Sequence, residues 1–586
     1  MTTTRDVPAR PRATGARGAS LPRGVGRWVV LVAVLWFLAT FLIAPNLYSF
    51  VTVLNPQKGT FLSLVTELVA VPRVQRAVVN SLVIAVLSVI TVNIVGIAQA
   101  LILEAVKVRG RTILTIAYAI PLVFGSVSAV TGYSMVYGSN GILTHGLRAV
   151  FPALPADWFS GMAAIWFVHT FTMTGYHFLF LRPAIRRVDF SLVEAARSLG
   201  LSPMRAMLTV VVPILRPMIL ASVLMVFIGA ANSFAAPNIL GGTDYQMLAP
   251  LIQALTGLGR VDMSALLGLS VAAVTGTLLV WALREERRAR VFGGSKAGRP
   301  FKRVEVRNPL VVVLVHAVAY VLAAINFTPV LVTILLSLST PEAIRRGRID
   351  GNFTLANYAD VASNPGVAQP IINSLVMCAI AIPLALVIGT FVAQLAHRTR
   401  NRATDALQLS LFLPYFLPGI LIAVGMLITF GSPMPLVANQ VLVGGFWILP
   451  LAYVVVLLPT VARFMGAAYA GLDPALDEAG ASLGARDLRR TLTITLPLLL
   501  PILMQVAALG FNATFDEYTL SVMLYNVNNR PLGVTLAALA ASQDPNLVGT
   551  ATAYVVINTF VSLGVILFAD YMARRVAQRQ TAEVDR

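Results

Sequence analysis

Two motifs of the same form stand in this sequence, each a glutamate followed six positions later by glycine and nineteen positions later by proline. Corresponding residues of the two copies are separated by 284 positions. The first copy contains Glu194, Ala195, Ala196, Gly200 and Pro213, and the second contains Glu478, Ala479, Gly480, Gly484 and Pro497. Because a whole segment recurs, the chain is expected to consist of two copies of one structural unit.

Each motif predicts a short helix, a sharp turn and a second helix. In the first copy Ser191 is expected to cap the helix, with Glu194 reaching back to it as in a capping box. In the second copy Asp473 is the expected cap. Gly200 and Gly484 then end these helices in a left-handed conformation. One such loop is typical of an interfacial helix, whereas two at equivalent places indicate a docking surface that is used twice.

A second group of candidate residues is polar but lies within long apolar runs. Polar side chains at membrane depth are costly and tend to face a cavity. The candidates for a solute path are His169, His177, Asn232, Asn512, Asp516, Glu517 and Tyr518. The two adjacent acids would attract a cationic solute, and neighbouring aromatic rings could stack on an ammonium group. The same acids could instead lie at the outer end of a span, as a solvated gate or cap.

The spacing of two histidines is also informative. His169 and His177 are eight residues apart and therefore share a helical face. Packing between helices and a place in a solute path are equally compatible with this spacing. Neither histidine has a carboxylate or cysteine at ligand spacing, so no metal site is predicted. The single cysteine, Cys378, excludes a disulfide framework.

The elements that must position these residues are membrane-spanning helices. Hydrophobic residues make up 57% of the chain and charged residues 12%, which is outside the range of soluble proteins. A bilayer core needs about 20 apolar residues per helix. Such runs occur at 28–50, 80–104, 112–138, 158–181, 213–237 and 264–283, and again at 308–338, 373–396, 407–430, 442–462, 497–524 and 548–572. The predicted fold is an all-α integral membrane protein of about twelve transmembrane helices, arranged as two homologous six-helix halves.

The halves also agree outside the motifs. Asn80-Ser81 opens the second span as Asn373-Ser374 opens the eighth, at an offset of 293 positions. The offset falls from 293 to 284 before the motif, so the second copy has lost nine residues there. This agreement supports a repeat that extends through both halves.

The charged residues divide the chain and orient it. The predicted segments are a disordered basic tail at 1–27, transmembrane domains at 28–283 and 308–573, a linker at 284–307 and a tail at 574–586. Of the 44 Lys and Arg residues, 34 fall on the side of the tails, the linker and both motifs, and 9 fall on the other side. The positive-inside rule therefore predicts cytoplasmic termini and motifs. The net charge of +19 is a topology signal rather than a sign of nucleic-acid binding.

The motifs resemble the signature loop of the permease subunits of binding-protein-dependent ABC importers, E-A-A-x-x-x-G followed after nine residues by I-x-L-P. The first copy ends in Val210-x-Val212-Pro213 and the second in Ile494-x-Leu496-Pro497. Valine in place of isoleucine and leucine in the first copy is a mild change, and Gly480 in place of alanine is the one real departure. It is expected to loosen the second helix slightly because glycine costs about 1 kcal/mol there. The resemblance covers residues 70–285 and 365–573.

The resemblance implies that each loop forms a coupling helix lying in a cleft of an ATP-hydrolysing subunit. Closure of two such subunits would then switch the membrane helices between inward-facing and outward-facing states. Glu194, Gly200, Glu478 and Gly484 are the residues predicted to make contact or act as hinges. The implied partners are two copies of an ABC ATPase subunit and an extracytoplasmic solute-binding protein, in the inner membrane, with lipid around the chain and no nucleic acid.

The sequence contains no G-x-x-x-x-G-K-[ST] pattern, and Gly293-Gly294-Ser295-Lys296 does not fit it. The chain is therefore predicted to be a transport subunit and not an enzyme. It is expected to bind no cofactor of its own, with ATP and magnesium held by the partner ATPase.

The solute is left open between several small charged compounds. The segment Phe515-Asp516-Glu517-Tyr518 resembles polyamine and aminophosphonate permeases, whereas the duplication in one chain is similar to ferric-iron and thiamine permeases. An ion-gradient-driven secondary transporter with twelve helices is the alternative. Such carriers place a repeated Gly/Asp/Arg signature between their second and third spans, and residues 105–111 and 397–402 show only basic character.

Overall fold

The fold is entirely α-helical in the part of the chain that the computed structural model describes. Those residues are 25–242, 245–290, 301–305, 308–346, 349, 351–399, 401–485, 487–542 and 544–584. Only three isolated β-bridges, and no strands, occur within these ranges. The predicted all-α class is therefore confirmed. Most of the predicted basic tail at 1–27 and the centre of the predicted linker, 291–300, lie outside the described residues.

The first half contributes sixteen α-helices in the described ranges. They are α1 Val25–Phe37, α2 Ala44–Leu54, α3 Phe61–Ala70, α4 Pro72–Glu104, α5 Arg111–Val123, α6 Ser126–Tyr137, α7 Ile142–Val150, α8 Gly161–Thr172, α9 Gly175–Arg186, α10 Phe190–Ser198, α11 Pro203–Ala206, α12 Val212–Ile214, α13 Arg216–Ala231, α14 Ala235–Leu240, α15 Leu248–Gly257 and α16 Val261–Arg290. The last of these continues past residue 284, where the linker was predicted to begin.

The second half contributes fourteen more within the described ranges. They are α17 Pro309–Ser337, α18 Pro341–Arg345, α19 Ala356–Ser363, α20 Pro365–Thr399, α21 Arg402–Ser410, α22 Leu413–Phe416, α23 Gly419–Phe430, α24 Ile448–Ala470, α25 Pro474–Ser482, α26 Asp487–Arg490, α27 Leu496–Thr514, α28 Ser521–Leu524, α29 Leu532–Ala541 and α30 Pro545–Val584. Short π-helical turns at Leu38–Ile43, Met207–Val211 and Thr491–Thr495 join neighbouring helices.

Most of the predicted spans are present as long apolar helices. Eight in the described ranges are long and apolar enough to cross a membrane: Trp28–Leu54, Pro72–Glu104, Val261–Trp281, Pro309–Ser337, Pro365–Thr399, Ile448–Ala470, Thr491–Thr514 and Leu547–Val576. Two bent pairs, Arg111–Val123 with Ser126–Val150 and Met207–Ile214 with Arg216–Ala231, raise the number to ten. The predicted spans 158–181 and 407–430 consist of shorter helices. The expected count of about twelve helices is approximately confirmed.

The third predicted span is bent and not straight. The run 112–138 breaks at Phe124 and Gly125, and its two parts meet at a bend of 118°. At the break, the Asp516 carboxylate of the second half approaches so closely that a Cβ on Gly125 would collide with it. The fourth span breaks likewise at Met173 and Thr174, between α8 and α9. Breaks of this kind give helix ends inside the protein, where backbone amides become available.

The repeat extends to individual hydrogen bonds. Asn80 Nδ2 donates to the Gln246 carbonyl at 2.9 Å, and Asn373 Nδ2 donates to the Arg530 carbonyl at 3.0 Å. Next to them, Ser81 Oγ accepts from the Leu248 amide as Ser374 Oγ accepts from the Leu532 amide, both at 2.9 Å. The same contacts therefore anchor α4 and α20 in their respective halves.

The first helix of each half packs against the other half. The Tyr118 hydroxyl of α5 donates to the Ala319 carbonyl of α17 at 2.8 Å, which places the first helix of the second half against the first half. In return, Trp36 Nε1 donates to the Leu436 carbonyl at 2.9 Å, and Phe41 packs on Phe430 with ring centroids 5.3 Å apart. This exchange holds the halves together through buried apolar surface.

Candidate coupling loops and polar sites

The two predicted coupling helices are α10 and α25. An aspartate caps each of them, since Asp189 Oδ1 accepts from the Ser191 amide at 3.0 Å and Asp473 Oδ1 accepts from the Ala475 amide at 2.9 Å. The predicted cap at Ser191 was therefore wrong, and α10 begins at Phe190, two residues earlier than a cap at Ser191 would place it. Asp189 lies 284 residues before Asp473, at the same offset as the other motif residues. The repeat therefore indicated Asp189 as the cap that corresponds to Asp473.

Each coupling helix ends at a left-handed glycine, as the sequence predicted. The φ angle is +90° at Gly200 and +75° at Gly484. In the first loop the Leu201 amide donates to the Ala196 carbonyl at 3.2 Å, and in the second the Ala485 amide donates to the Gly480 carbonyl at 3.1 Å. This pattern is the Schellman motif, which needs a residue with no penalty for positive φ.

The motif residues divide between a buried and an outward face. Ala196 and Gly480 are buried, Ala195 and Ala479 are exposed, and Glu194 is half-buried while Glu478 is exposed. The sequence analysis did not single out the leucines that precede the two glycines. Leu199 is 86% exposed and Leu483 is 87% exposed, so each loop presents a large apolar side chain at its tip. Their shared offset of 284 was a signal that could have identified them.

Gly480, the departure from the motif, lies at a close contact. A Cβ at this position would come within 3.0 Å of Ile494 Cδ1 and 3.1 Å of Arg490 Cδ. Both distances are shorter than ordinary packing contacts, so the glycine lets α25 approach the segment that follows it more closely than alanine would.

Behind each loop the chain enters the next span through a π-helical turn. The Val212 amide donates to the Met207 carbonyl, and the Leu496 amide donates to the Thr491 carbonyl, again 284 residues apart. Pro213 and Pro497 follow immediately, at the start of α12 and α27. Proline has no amide hydrogen to donate, so it interrupts the regular i to i−4 hydrogen bonds of the helix. The wider π-helical turn lies immediately before this interruption.

The two coupling helices are attached to the membrane domain by different chemistry. At the first, Phe190, Val193 and Ala196 join an apolar cluster. Phe301, from the end of the predicted linker, packs edge-on against Phe190 with ring centroids 5.6 Å apart. The linker segment 301–305 is also attached to the end of α4, because the Val304 amide donates to the Ala105 carbonyl at 2.8 Å.

The second coupling helix is attached by ion pairs. Asp477 lies 2.9 Å from Arg398 Nη2 and 3.4 Å from Arg490 Nε, and Arg490 also pairs with Asp487. A cavity of about 200 Å³ lies beside these groups, between α25 and the ends of α20 and α24. Val193 occupies the position 284 residues before Asp477, which explains why the first loop has no matching pair there.

The predicted histidines of the fourth span are buried between helices. His169 lies 3.3 Å from Ser88 Oγ and 2.9 Å from Ser233 Oγ, through its two ring nitrogens. His177 Nε2 lies 2.9 Å from Asn93 Oδ1 and 3.2 Å from Ser222 Oγ. These contacts join α8 and α9 to α4 and to the region of α13.

The two predicted acids accept hydrogen bonds from the chain itself. Asp516 is 3% exposed and accepts from Ser128 Oγ and Asn558 Nδ2, each at 3.2 Å. Ser128 lies in the first turn of α6, so the carboxylate faces the amino end of that helix. Asp516 therefore caps a helix of the other half, an arrangement that favours a negative charge.

Glu517 caps a helix in the same way. Its carboxylate accepts from the Leu520 amide at 2.8 Å, the Ser521 amide at 3.0 Å and the Ser521 hydroxyl at 2.7 Å, at the start of α28. The neighbouring Tyr518 hydroxyl accepts a short hydrogen bond from Asn238 Nδ2. The sequence left open a solvated gate or cap at the outer end of the span, but Asp516 is buried and not solvated, and both acids accept hydrogen bonds from the chain.

The remaining polar candidates lie at helix ends and between halves. Asn232 is half-buried at the carboxyl end of α13. Asn512 Nδ2 donates to the Leu122 carbonyl at 3.0 Å, so it too links the second half to the first. Among the described residues, no group of three or more His, Cys, Asp or Glu side chains is placed to hold a metal ion.

The sequence is similar to several known proteins. No protein-family model matches the chain. It is 41% identical over 547 residues to the Probable ABC transporter permease protein y4fN of Sinorhizobium fredii, covering 93% of this chain and 96% of that protein. It is 23% identical to the Ferric transport system permease protein FbpB of Actinobacillus pleuropneumoniae, over 95% of this chain and 80% of that one. The Putrescine transport system permease protein PotI of Escherichia coli is 25% identical over 48% of this chain and 99% of its own length.

These likenesses, with a multi-pass helical fold, define a membrane transport subunit. The chain belongs to the ABC transporter permeases. It is a permease and not an enzyme, as its sequence predicted. PotI matches only about half of the chain, as expected if the chain contains two permease units in tandem.

Proposed function

We propose that this chain forms the solute path of an ATP-driven importer in the inner membrane, with both termini in the cytoplasm. Its two coupling loops would each bind one ABC ATPase subunit, and a solute-binding protein would deliver solute at the outer face. The observation that carries this proposal is the pair of coupling helices, built alike with an aspartate cap, a left-handed glycine and an exposed leucine.

Each loop has a structure that would transmit motion from a bound ATPase subunit to the membrane helices. A cap and a Schellman motif fix both ends of a short helix that would otherwise be marginal. The helix is attached to the ends of membrane helices by apolar packing in the first half and by ion pairs in the second. Motion of a bound ATPase subunit would therefore displace the spans instead of bending the loop.

We propose a small charged solute, of the polyamine, thiamine, aminophosphonate or ferric-iron class. The relatives named for ferric and putrescine transport both concern cations, which favours the cationic members of this set. The Asp516 and Glu517 carboxylates are engaged with donors of the chain, so they would shape the path rather than bind solute directly. Selection of the solute would then rest mainly with the binding protein.

Charge reversal of the motif glutamates tests the coupling role. Glu194→Lys with Glu478→Lys should abolish ATP-driven uptake into vesicles that contain the complete transporter, while membrane insertion remains normal. Glu342→Lys, which reverses an exposed acid on α18 away from the motifs, is the matched control and should transport normally. Normal uptake by the double variant would show that the loops do not couple ATP hydrolysis to transport.

A further inference from the structure

A single buried carboxylate is surrounded by four arginines at the end of α4. Glu104 is 3% exposed, and Arg111 Nη2 lies 3.1 Å from its Oε1 and 3.0 Å from its Oε2. Arg186 contributes two hydrogen bonds, at 3.0 Å from Nε and 2.8 Å from Nη2, and Arg182 contributes a short one. Arg303, from the linker segment 301–305, lies 3.4 Å away.

The cluster holds more positive charge than its carboxylate can neutralise. Each oxygen of Glu104 already has three guanidinium contacts, and a carboxylate offers about four acceptor positions in all. One negative and four positive groups leave a net charge of three units. The side chains of Arg186 and Arg303 are 54% and 37% exposed, so part of this excess faces outward.

Among the residues that the structure describes, the second half has no equivalent cluster. The positions that correspond to Glu104, Arg111, Arg182 and Arg186 are His397, Thr404, Gly466 and Ala470. The ion pairs in that half are balanced, with Arg398 and Arg490 against Asp477 and Asp487. The excess of arginine is therefore a property of one site and not of the general basic charge on this side of the protein.

The location of the cluster indicates its ligand. It lies where α4 and α9 end, next to the first coupling helix, and so at the membrane surface on the side of the loops. Guanidinium groups bind phosphate through paired hydrogen bonds, and basic pockets between membrane helices bind acidic headgroups. A phosphate would supply the acceptors that the saturated Glu104 cannot.

We propose that this cluster binds the phosphate group of one acidic phospholipid per chain. Glu104 holds the four guanidinium groups together, and the headgroup phosphate accepts from the outward N–H groups of Arg186 and Arg303. Because Arg303 belongs to the linker and Arg186 leads into α10, the bound lipid fixes the first coupling helix relative to α4. The site does not depend on the identity of the solute or on ATPase binding.

Native mass spectrometry of the full-length chain, released from vesicles of phosphatidylglycerol and phosphatidylcholine, tests the proposal. The wild-type chain should retain one phosphatidylglycerol and no phosphatidylcholine. Arg186→Gln with Arg303→Gln should weaken retention on the order of tenfold or more, since each basic residue near an acidic surface contributes about 1 kcal/mol. Arg187→Gln, which removes the adjacent arginine outside the cluster, should retain the lipid as the wild type does.

Two further measurements separate the outcomes. Titration of the lipid-bound chain with inorganic phosphate shows whether the cluster binds a lipid phosphate or free phosphate. The proposal requires that millimolar phosphate not displace the lipid. Displacement would show that the cluster binds soluble phosphate and would contradict the proposed lipid site. Equal retention by the wild type and the double variant would overturn the site itself. If the double variant unfolds on heating before the wild type, Arg303→Lys alone should still reduce retention, because lysine keeps the charge but loses the paired donors.

Discussion

The Asp516 carboxylate of the second half accepts a hydrogen bond from the Ser128 hydroxyl of the first half, with Oδ2 and Oγ 3.2 Å apart. Asn558 Nδ2 completes the group, 2.7 Å from the same hydroxyl and 3.2 Å from the same carboxylate oxygen. All three side chains are buried, with exposed fractions of 3%, 0% and 1%. A polar network therefore ties the two halves together at the break between α5 and α6.

Removal of the Asp516 carboxylate is expected to destabilise this interface. Asp516→Ala leaves the buried Ser128 hydroxyl without its acceptor and removes one of the two acceptors of Asn558 Nδ2, which costs about 1–3 kcal/mol. Thermal unfolding in detergent measures the loss. Asp570→Ala, which removes a partly exposed acid paired with Arg574 on α30, is the control and should change stability by less than about 0.5 kcal/mol. In a double-mutant cycle, strictly additive effects of Asp516→Ala and Ser128→Ala would show that the bond does not join the halves.

The exposed leucines should matter for ATPase binding and not for folding. Leu199→Ala and Leu483→Ala remove side chains that have almost no contacts within the chain, so the melting temperature should be unchanged. If each leucine is buried in an ATPase cleft, its loss costs about 1.5–3 kcal/mol, or about tenfold to a hundredfold in affinity. Leu258→Ala, at an exposed leucine between α15 and α16, is the control. Unchanged affinity of both variants for the ATPase would remove the leucines from the docking surface.

The two left-handed glycines should resist substitution for conformational reasons alone. Gly200→Ala and Gly484→Ala meet no atom within 4 Å, yet the positive φ should cost about 1–2 kcal/mol. Limited proteolysis of the loop and ATP-driven uptake are the readouts, and both should reveal a disordered loop. Gly564→Ala on α30 also meets nothing within 4 Å but has an ordinary φ, so it should be neutral or slightly stabilising. Equal behaviour of the three variants would contradict a strained turn.

One ion pair on the side opposite the coupling loops should make stability depend on pH. Glu67 accepts from Arg260 at 2.7 and 3.0 Å, and the hydrogen bond to Arg260 holds the pKa of Glu67 below its ordinary value of 4.5. Since the folded pKa is the lower one, the stabilisation is complete above pH 4.5 and is lost as the pH falls through the folded pKa. Glu67→Gln should therefore lower the melting temperature at neutral pH, and the difference should shrink below pH 4.5. A difference that stays constant with pH would contradict this pairing.

The sequence predicted the coupling loops well because their structure is local. The helix ends at Gly200 and Gly484 follow from residues within one turn of each glycine. The error at Ser191 arose from a capping box that competed with Asp189 two residues earlier, and only the repeat offset could have decided between them. The duplication of the halves could also be predicted from the sequence, because corresponding residues keep the same spacing even where the residues between the motifs differ.

The polar sites in the membrane could not be predicted in this way. Asp516 contacts Ser128, which lies 388 residues earlier in the chain in the first turn of α6, and no local pattern records that contact. The close approach of that carboxylate to Gly125, at the break of the third span, is likewise a contact between segments that are distant in the sequence. The arginines around Glu104 likewise come from three separate segments, so their convergence depends on how the helices pack.

Co-purification of the ATPase with the intact chain tests the central claim most directly. The chain would be isolated from membranes in detergent, and the stoichiometry and ATP hydrolysis of the bound proteins would be measured for the wild type and for Glu194→Lys with Glu478→Lys. The proposed function predicts two ATPase subunits per wild-type chain, ATP hydrolysis, and loss of both in the double variant. A chain that purifies without an ATPase and transports solute from an ion gradient would contradict it.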